Sequence, residues 1–185
     1  MKNKGIFIIL GILALIAVYV IGLQRNLVGL NEDVNAAWGD IEVQYQRRAD
    51  LIPNLVETVK AQAGKEQEIF TQIAEARSKL AGATTIEEKI NANEQVTSAL
   101  GRLIAISENY PVLKQNEGFQ DLRVQLEGTE NRIAVARKYY NDKVNTYNRK
   151  IKLFPTNIFA GMLGYDEFPY IKAAEGAENA PQVKF

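Results

Sequence analysis

The chain has no cysteine and no histidine among its 185 residues. Without cysteine there are no disulfides, thiol nucleophiles or thiolate metal ligands. Without histidine there is no imidazole for acid–base chemistry, and zinc sites of the usual kinds lose their commonest ligands. The missing cysteine does not select a compartment, because oxidising and reducing sides both tolerate it. Net charge is missing too: 22 Lys and Arg balance 22 Asp and Glu. No field therefore recruits nucleic acid or an anionic membrane surface. Proline is scarce, at 5 residues, and with 9% aromatics and 13 glycines the composition leans helical rather than β. There is no Gly-rich phosphate loop, serine elbow or EF-hand loop. A chain of this length holds one domain plus an anchor.

What is present begins with a long apolar run. After Met1-Lys-Asn-Lys, residues Gly5–Leu23 carry no charge and are rich in Ile, Leu, Val and Ala. At ~1.5 Å per residue the run reaches about 28 Å as a helix, close to the hydrocarbon thickness of a bilayer. A cleaved signal peptide needs a shorter apolar core and a small-x-small site, which Val18-Tyr-Val-Ile-Gly-Leu-Gln does not offer. No cysteine exists for a lipoprotein anchor. The expectation is a retained single span at 5–23, with the lipid bilayer as its partner. Lys2, Lys4 and the amino terminus precede the span, while only Arg25 follows it before Glu42. This asymmetry favours a cytoplasmic N-terminus and a domain outside the cytoplasm, the reverse being the alternative. Gly11, Ala14, Ala17 and Gly22 form no clean small-xxx-small face for span pairing.

Beyond the span the periodicity is helical throughout. Leu27, Leu30, Val34, Ile41, Tyr45, Ile52, Leu55 and Val59 recur at steps of three, four and seven, which predicts a first helix from about Gln24 to Ala63. Trp38, the sole tryptophan, lies at the edge of that stripe. No Pro/Gly linker separates this helix from the span, so a continuous rod is expected, bent at Pro53. A second helix, opened by Lys65-Glu-Gln-Glu, carries the seam Ile69, Ile73, Ala76 and Leu80; Gly64 either ends the first helix or softens it. Thr84 with Glu87, or Thr85 with Glu88, forms a capping box for a third helix. Its stripe is Ile86, Ile90, Val96, Leu100, Leu103 and Ile104, with Asn93 on the apolar side. Tyr110-Pro111 ends it, and Val112–Gly118 reads as a loop. The last long helix has Phe119, Leu126, Ile133, Tyr140, Tyr147 and Phe154 at sevens, a spacing that predicts long antiparallel packing with a left-handed supercoil.

The expected architecture is all-α. An N-terminal transmembrane helix (1–23) precedes an antiparallel up-and-down bundle (24–154) of four long helices, or three if the first two are continuous. Residues 155–171 are too apolar for a free tail and are expected to dock on the bundle through Ile158, Phe159, Met162, Leu163 and Phe168. Residues 172–185 read as a disordered tail.

One stretch is distinctive. Residues 47–60, Arg-Arg-Ala-Asp-Leu-Ile-Pro-Asn-Leu-Val-Glu-Thr-Val-Lys, combine an apolar stripe with charged ends and an internal proline. With Glu75-Ala-Arg77, Tyr110-Pro-x-Leu113, Phe119-x-x-Leu122-x-x-x-Leu126, Glu130-Asn-x-Ile133-Ala134, Arg137, Tyr140-Asn141, Val144, Tyr147-Asn148 and Phe154-Pro155, it resembles the LemA family, membrane-anchored bacterial helical bundles. The matches spread over most of residues 26–168. The resemblance implies a four-helix bundle on an N-terminal span, with no established activity or cofactor.

The polar positions also form a pattern of their own. Glu130, Arg137, Asn141 and Asn148 are spaced seven, four and seven, along one side of the last helix. On the first helix the matching candidates are Arg47, Arg48, Asp50 and Asn54. Facing inward, the two sets make a buried polar layer that fixes register, with Arg48 and Asp50 as its expected members on the first helix. Facing outward, they make a recognition groove for a partner or peptide. Catalysis is the weakest reading. The acid pairs Glu66/Glu68, Glu87/Glu88 and Asp166/Glu167 are adjacent or one apart and point to different sides of a helix. The carboxylate di-iron bundle needs Glu-x-x-His, and histidine is absent. The function expected is therefore a non-catalytic scaffold or protein-binding module at the bilayer surface, without a cofactor and without nucleic acid. An envelope spacer built on self-association is the alternative.

Overall fold

The structure, a computed structural model, describes residues 2–63 and 66–172, and its side chains from Gly5 onward. Among the described residues there are six helices and no strand: α1 (Lys2–Lys60), α2 (Gln67–Gly82), α3 (Ile86–Ser107), α4 (Pro111–Lys114), α5 (Glu117–Lys152) and α6 (Thr156–Met162). The chain is all-α, as its periodicity predicts. The apolar run and the first bundle helix are one helix, which passes through Pro53 without a break. Gly64, Lys65 and the segment 173–185 lie outside the described residues, and with them the question of what Gly64 does and the expected disordered tail.

Packing divides the chain into two units, and both α1 and α5 contribute to each. The first unit joins residues up to Gly39 with Lys138–Phe168. Here α1 and α5 run antiparallel: Asp33 meets Lys143 at 2.8 Å, and the Trp38 ring stands edge-on to Tyr140 at 5.6 Å between centroids. Leu23, Leu27, Val34, Ala37, Tyr140, Val144, Tyr147 and Ile151 are buried. The apolar run, by contrast, has almost nothing covering it: Ile6, Phe7, Leu10, Leu13, Leu15, Val18 and Ile21 are all exposed. Burial on α1 begins only at Val20 and Leu23, where the run ends.

Past α5 the chain turns at Leu153–Pro155 and enters α6. Its following strap is held to α5 by Asn148. That side chain donates Nδ2–H to the Phe168 carbonyl at 2.9 Å and accepts the Phe168 N–H at 3.0 Å, as a paired backbone amide would. Phe168 also stands edge-on to Tyr147, and Lys152 pairs with Glu167 at 2.6 Å. Of the residues expected to dock, Phe159 and Phe168 are partly covered, whereas Ile158, Met162 and Leu163 are exposed. The inner face of α6 is instead the smaller pair Thr156 and Ala160. Phe154, the last of the sevens on α5, is 79% exposed. The helix stops at Lys152, and the period lapses with it.

The second unit holds residues 40–137 together with 169–172. Its core is Ile52, Leu55 and Val59 of α1, Ile69, Phe70, Ile73 and Ala76 of α2, Val96, Ala99, Leu100 and Leu103 of α3, Leu113 of α4 and Phe119 and Leu126 of α5. The α2–α3 turn is fixed by its cap. Thr85 accepts the Glu88 N–H at 3.2 Å, while the Glu88 carboxylate accepts the N–H groups of Thr84 and Thr85. Those bonds hold the Glu88 carboxyl below its ordinary pKa. Of the two candidate boxes the Thr85–Glu88 one forms.

Residues 112–118 differ from the expected loop. Pro111 sits at the first position of α4, where its missing N–H costs nothing and its fixed φ suits a helix, and Tyr110 before it is extended. The Tyr110 hydroxyl donates to Glu66 at 2.9 Å, tying this corner to the start of α2. Asn116 then accepts the Phe119 N–H at 2.9 Å and caps α5.

Candidate functional site

A polar cluster forms where α1, α3 and α5 meet in the second unit. Arg48 is its centre. It follows Tyr45 by three and precedes Ile52 by four, all three buried, so the helical period carries it inward with them. Its guanidinium is 5% exposed and lies 2.8 Å from the Glu130 carboxylate of α5. It also donates to the Thr97 hydroxyl of α3 at 2.9 Å and, at 3.4 Å, to the Asn93 side-chain carbonyl. Thr97 in turn donates to the Asn93 backbone carbonyl at 3.0 Å. Seven residues, about two turns, further along α5, Arg137 donates to the Tyr45 hydroxyl at 3.4 Å.

The electrostatics follow from burial. Loss of water lowers the Arg48 pKa below its ordinary value; Glu130 opposes that shift and Arg137 adds to it. Burial likewise raises the Tyr45 phenol, with Arg137 and Arg48 pulling the other way. The Glu130 side chain is 42% exposed although its Oε2, the oxygen facing Arg48, is buried, so the glutamate bears a smaller desolvation penalty than the arginine. Among the described residues, Arg48 Nε, Asn93 Nδ2 and Arg137 Nε are buried without a hydrogen-bond partner.

The predicted polar residues therefore separate. Arg48, Glu130 and Arg137 gather around Tyr45, Asn93 and Thr97. Arg47, Asp50 and Asn54 lie on the exposed face of α1. Asp50 accepts a hydrogen bond from Gln46 at 2.7 Å on its own helix, so the expectation that Asp50 joins Arg48 in a buried layer is corrected. Two residues on, a helix has turned by about 200°, and Asp50 faces away from Arg48. Asn141 is partly covered and Asn148 is buried, both in the first unit, where Asn148 holds the strap at Phe168. Sequence reasoning missed Thr97 and did not connect Asn93 with Arg48. The available signal was the i,i+4 spacing of two polar residues beside the α3 stripe.

The second unit also carries a groove of about 810 Å³ between α1, α2 and the start of α3. Val43, Gln46 and Ala49 line one side, and Ala74, Arg77, Ser78 and Ala81 line the other. Lys89 pairs with Glu42 at its end. Among the described residues no three acids gather to hold a metal ion.

The LemA family profile matches residues 37–185. Relatives include two magnetosome proteins of Paramagnetospirillum magneticum, MamQ 1 and MamQ 2. Each is 27% identical over 192 residues, covering 89% of this chain and 71% of the relative. Magnetosome protein MamQ of Magnetospirillum gryphiswaldense is 27% identical over 205 residues, covering 94% of this chain and 75% of its own length. None of these names denotes an enzyme. A family match over residues 37–185, most of the chain, places it in the LemA family.

Proposed function

We propose that this LemA protein is a single-pass membrane-anchored scaffold. Its helical bundle presents contact faces to other proteins at the bilayer surface, outside the cytoplasm, and performs no catalysis. The observation that carries the reading is the state of α1. The apolar run, exposed at every position from Gly5 to Tyr19, continues in one unbroken helix into the packed positions Leu27, Val34 and Ile41. An exposed run of that length is stable only in an apolar surrounding, and a rigid helix transmits that anchorage to whatever the bundle holds. The polar cluster supports a structural role in the interior, since the Arg48 charge is met by Glu130 of α5 and by the neutral Thr97 of α3. Specific contacts then belong to the faces. The lysines ahead of the span support the outward orientation. The relatives named for the magnetosome are compatible with work at a membrane.

The test is photocrosslinking in intact cells from Val43 and Ser78, on opposite sides of the groove, with Val124 as a surface control. A scaffold gives one adduct mass shared by the groove positions and lost on Arg77→Glu. Adducts only to a second copy of the chain favour the spacer reading, and equal labelling from all three positions contradicts a defined face.

A further inference from the structure

The turn after α5 and helix α6 carry apolar side chains that are left exposed among the described residues. Ile158 and Met162, four apart on α6, are 52% and 80% exposed, and Phe154 in the turn before it is 79% exposed, with exposed Leu153 and Leu163 at either end. Thr156 and Ala160, on the opposite side, are buried. A short helix with small residues inward and large apolar ones outward inverts the usual pattern for water. Its depth is set by one contact: Phe159 stands edge-on to Tyr19, with 6.5 Å between ring centroids. Tyr19 lies four residues before Leu23, about 6 Å inside the end of the apolar run. Amphipathic segments that lie in a bilayer interface bury their apolar side ~5–10 Å, a matching depth. Arg149 and Lys150 lie in the last turn of α5 just before this segment, beside Lys152, which pairs with Glu167; cations at such a position suit lipid phosphates.

We propose that residues 153–163 are a second membrane contact, a monotopic segment whose Phe154, Ile158 and Met162 enter the lipid interface beside the span. This inference rests on the membrane-anchored reading, because only a bilayer around residues 5–23 brings lipid to this depth. It assigns the lipid surface as the occupant of the stripe, in continuity with the span's own lipid contact. The segment becomes a stop that fixes how far the bundle stands from the membrane, where a single span alone leaves tilt free.

The absence of cysteine permits a direct test on the full chain in phosphatidylcholine/phosphatidylglycerol vesicles. Single cysteines at positions 154 and 162 carry an environment-sensitive fluorophore, with position 9 in the span and position 124 on the exposed bundle as references. Emission at 154 and 162 is expected to shift blue and to be quenched by lipids bearing a quencher near the headgroup, while position 9 responds to a quencher deep in the tails. If position 9 is quenched but 154 and 162 remain as wet as 124, the second contact is overturned and the anchor stands. If position 9 is not quenched either, both the anchor and the second contact fall.

Discussion

Arg48 and Glu130 meet at 2.8 Å between α1 and α5, and they meet water unequally: the arginine is 5% exposed and the glutamate 42%. This asymmetry ranks their mutants. Glu130→Gln leaves a buried cation without its counter-charge and is expected to cost about 2–3 kcal/mol, below the range for a fully buried pair because solvent reaches one side. Arg48→Met leaves a glutamate that water can solvate, and mainly removes donors from Thr97 and Asn93, at about 1–2 kcal/mol. Thermal unfolding in detergent checks the order; Arg48→Met as the more damaging change would show that the ion pair is not what holds this layer. Asp50→Asn, on the exposed face, should leave the melting temperature unchanged.

Much of this arrangement was legible in the sequence, and the failures have physical causes. The unbroken apolar run, the Thr85–Glu88 box and the stripe from Leu27 to Val59 depend on neighbours within a few residues, and short-range spacing reports them. Arg47 and Asp50 are separated by three, a spacing that looks like a pair, but it is equally satisfied on the outside of a helix. Which face is inside was decided by Arg48, one residue away. Thr97 joins Arg48 only because α3 packs against α1; the i,i+4 spacing marks Asn93 and Thr97 as a pair, but no local pattern says which helix they meet. Phe154 obeyed the seven-residue period and yet is exposed, because the period has meaning only while the helix lasts, and it ends at Lys152.

Tyr140 gives a pH prediction. Burial raises its phenol from 10.0 to about 12, so the folded state favours the neutral form. Its contribution to stability is complete below pH 10 and is lost as pH rises from there through about 12. Trp38, the only tryptophan, stands edge-on to this ring and reports the event by its emission. Tyr140→Phe should flatten the alkaline loss of stability, with a remainder from Tyr45 and Tyr147, which burial also raises. An unchanged alkaline profile in Tyr140→Phe would place the titration elsewhere.

Asn148 tests how the strap is held. Asn148→Ala removes both hydrogen bonds to the Phe168 backbone and leaves that amide pair without its partner, a loss of about 1–3 kcal/mol. The bundle should keep its helix content while limited proteolysis cuts faster near Tyr165–Phe168. Equal protease resistance in the variant would mean that Tyr147 and the Lys152–Glu167 pair suffice.

The central claim is an anchored bundle facing away from the cytoplasm, and impermeant labelling in intact cells tests it most directly. Single cysteines are placed at Lys2, ahead of the span, and at Ala83, in the α2–α3 turn. A membrane-impermeant maleimide should label position 83 alone. Labelling of position 2 alone would reverse the orientation and contradict the charge argument, and labelling of neither until the cells are opened would contradict a span that crosses the membrane.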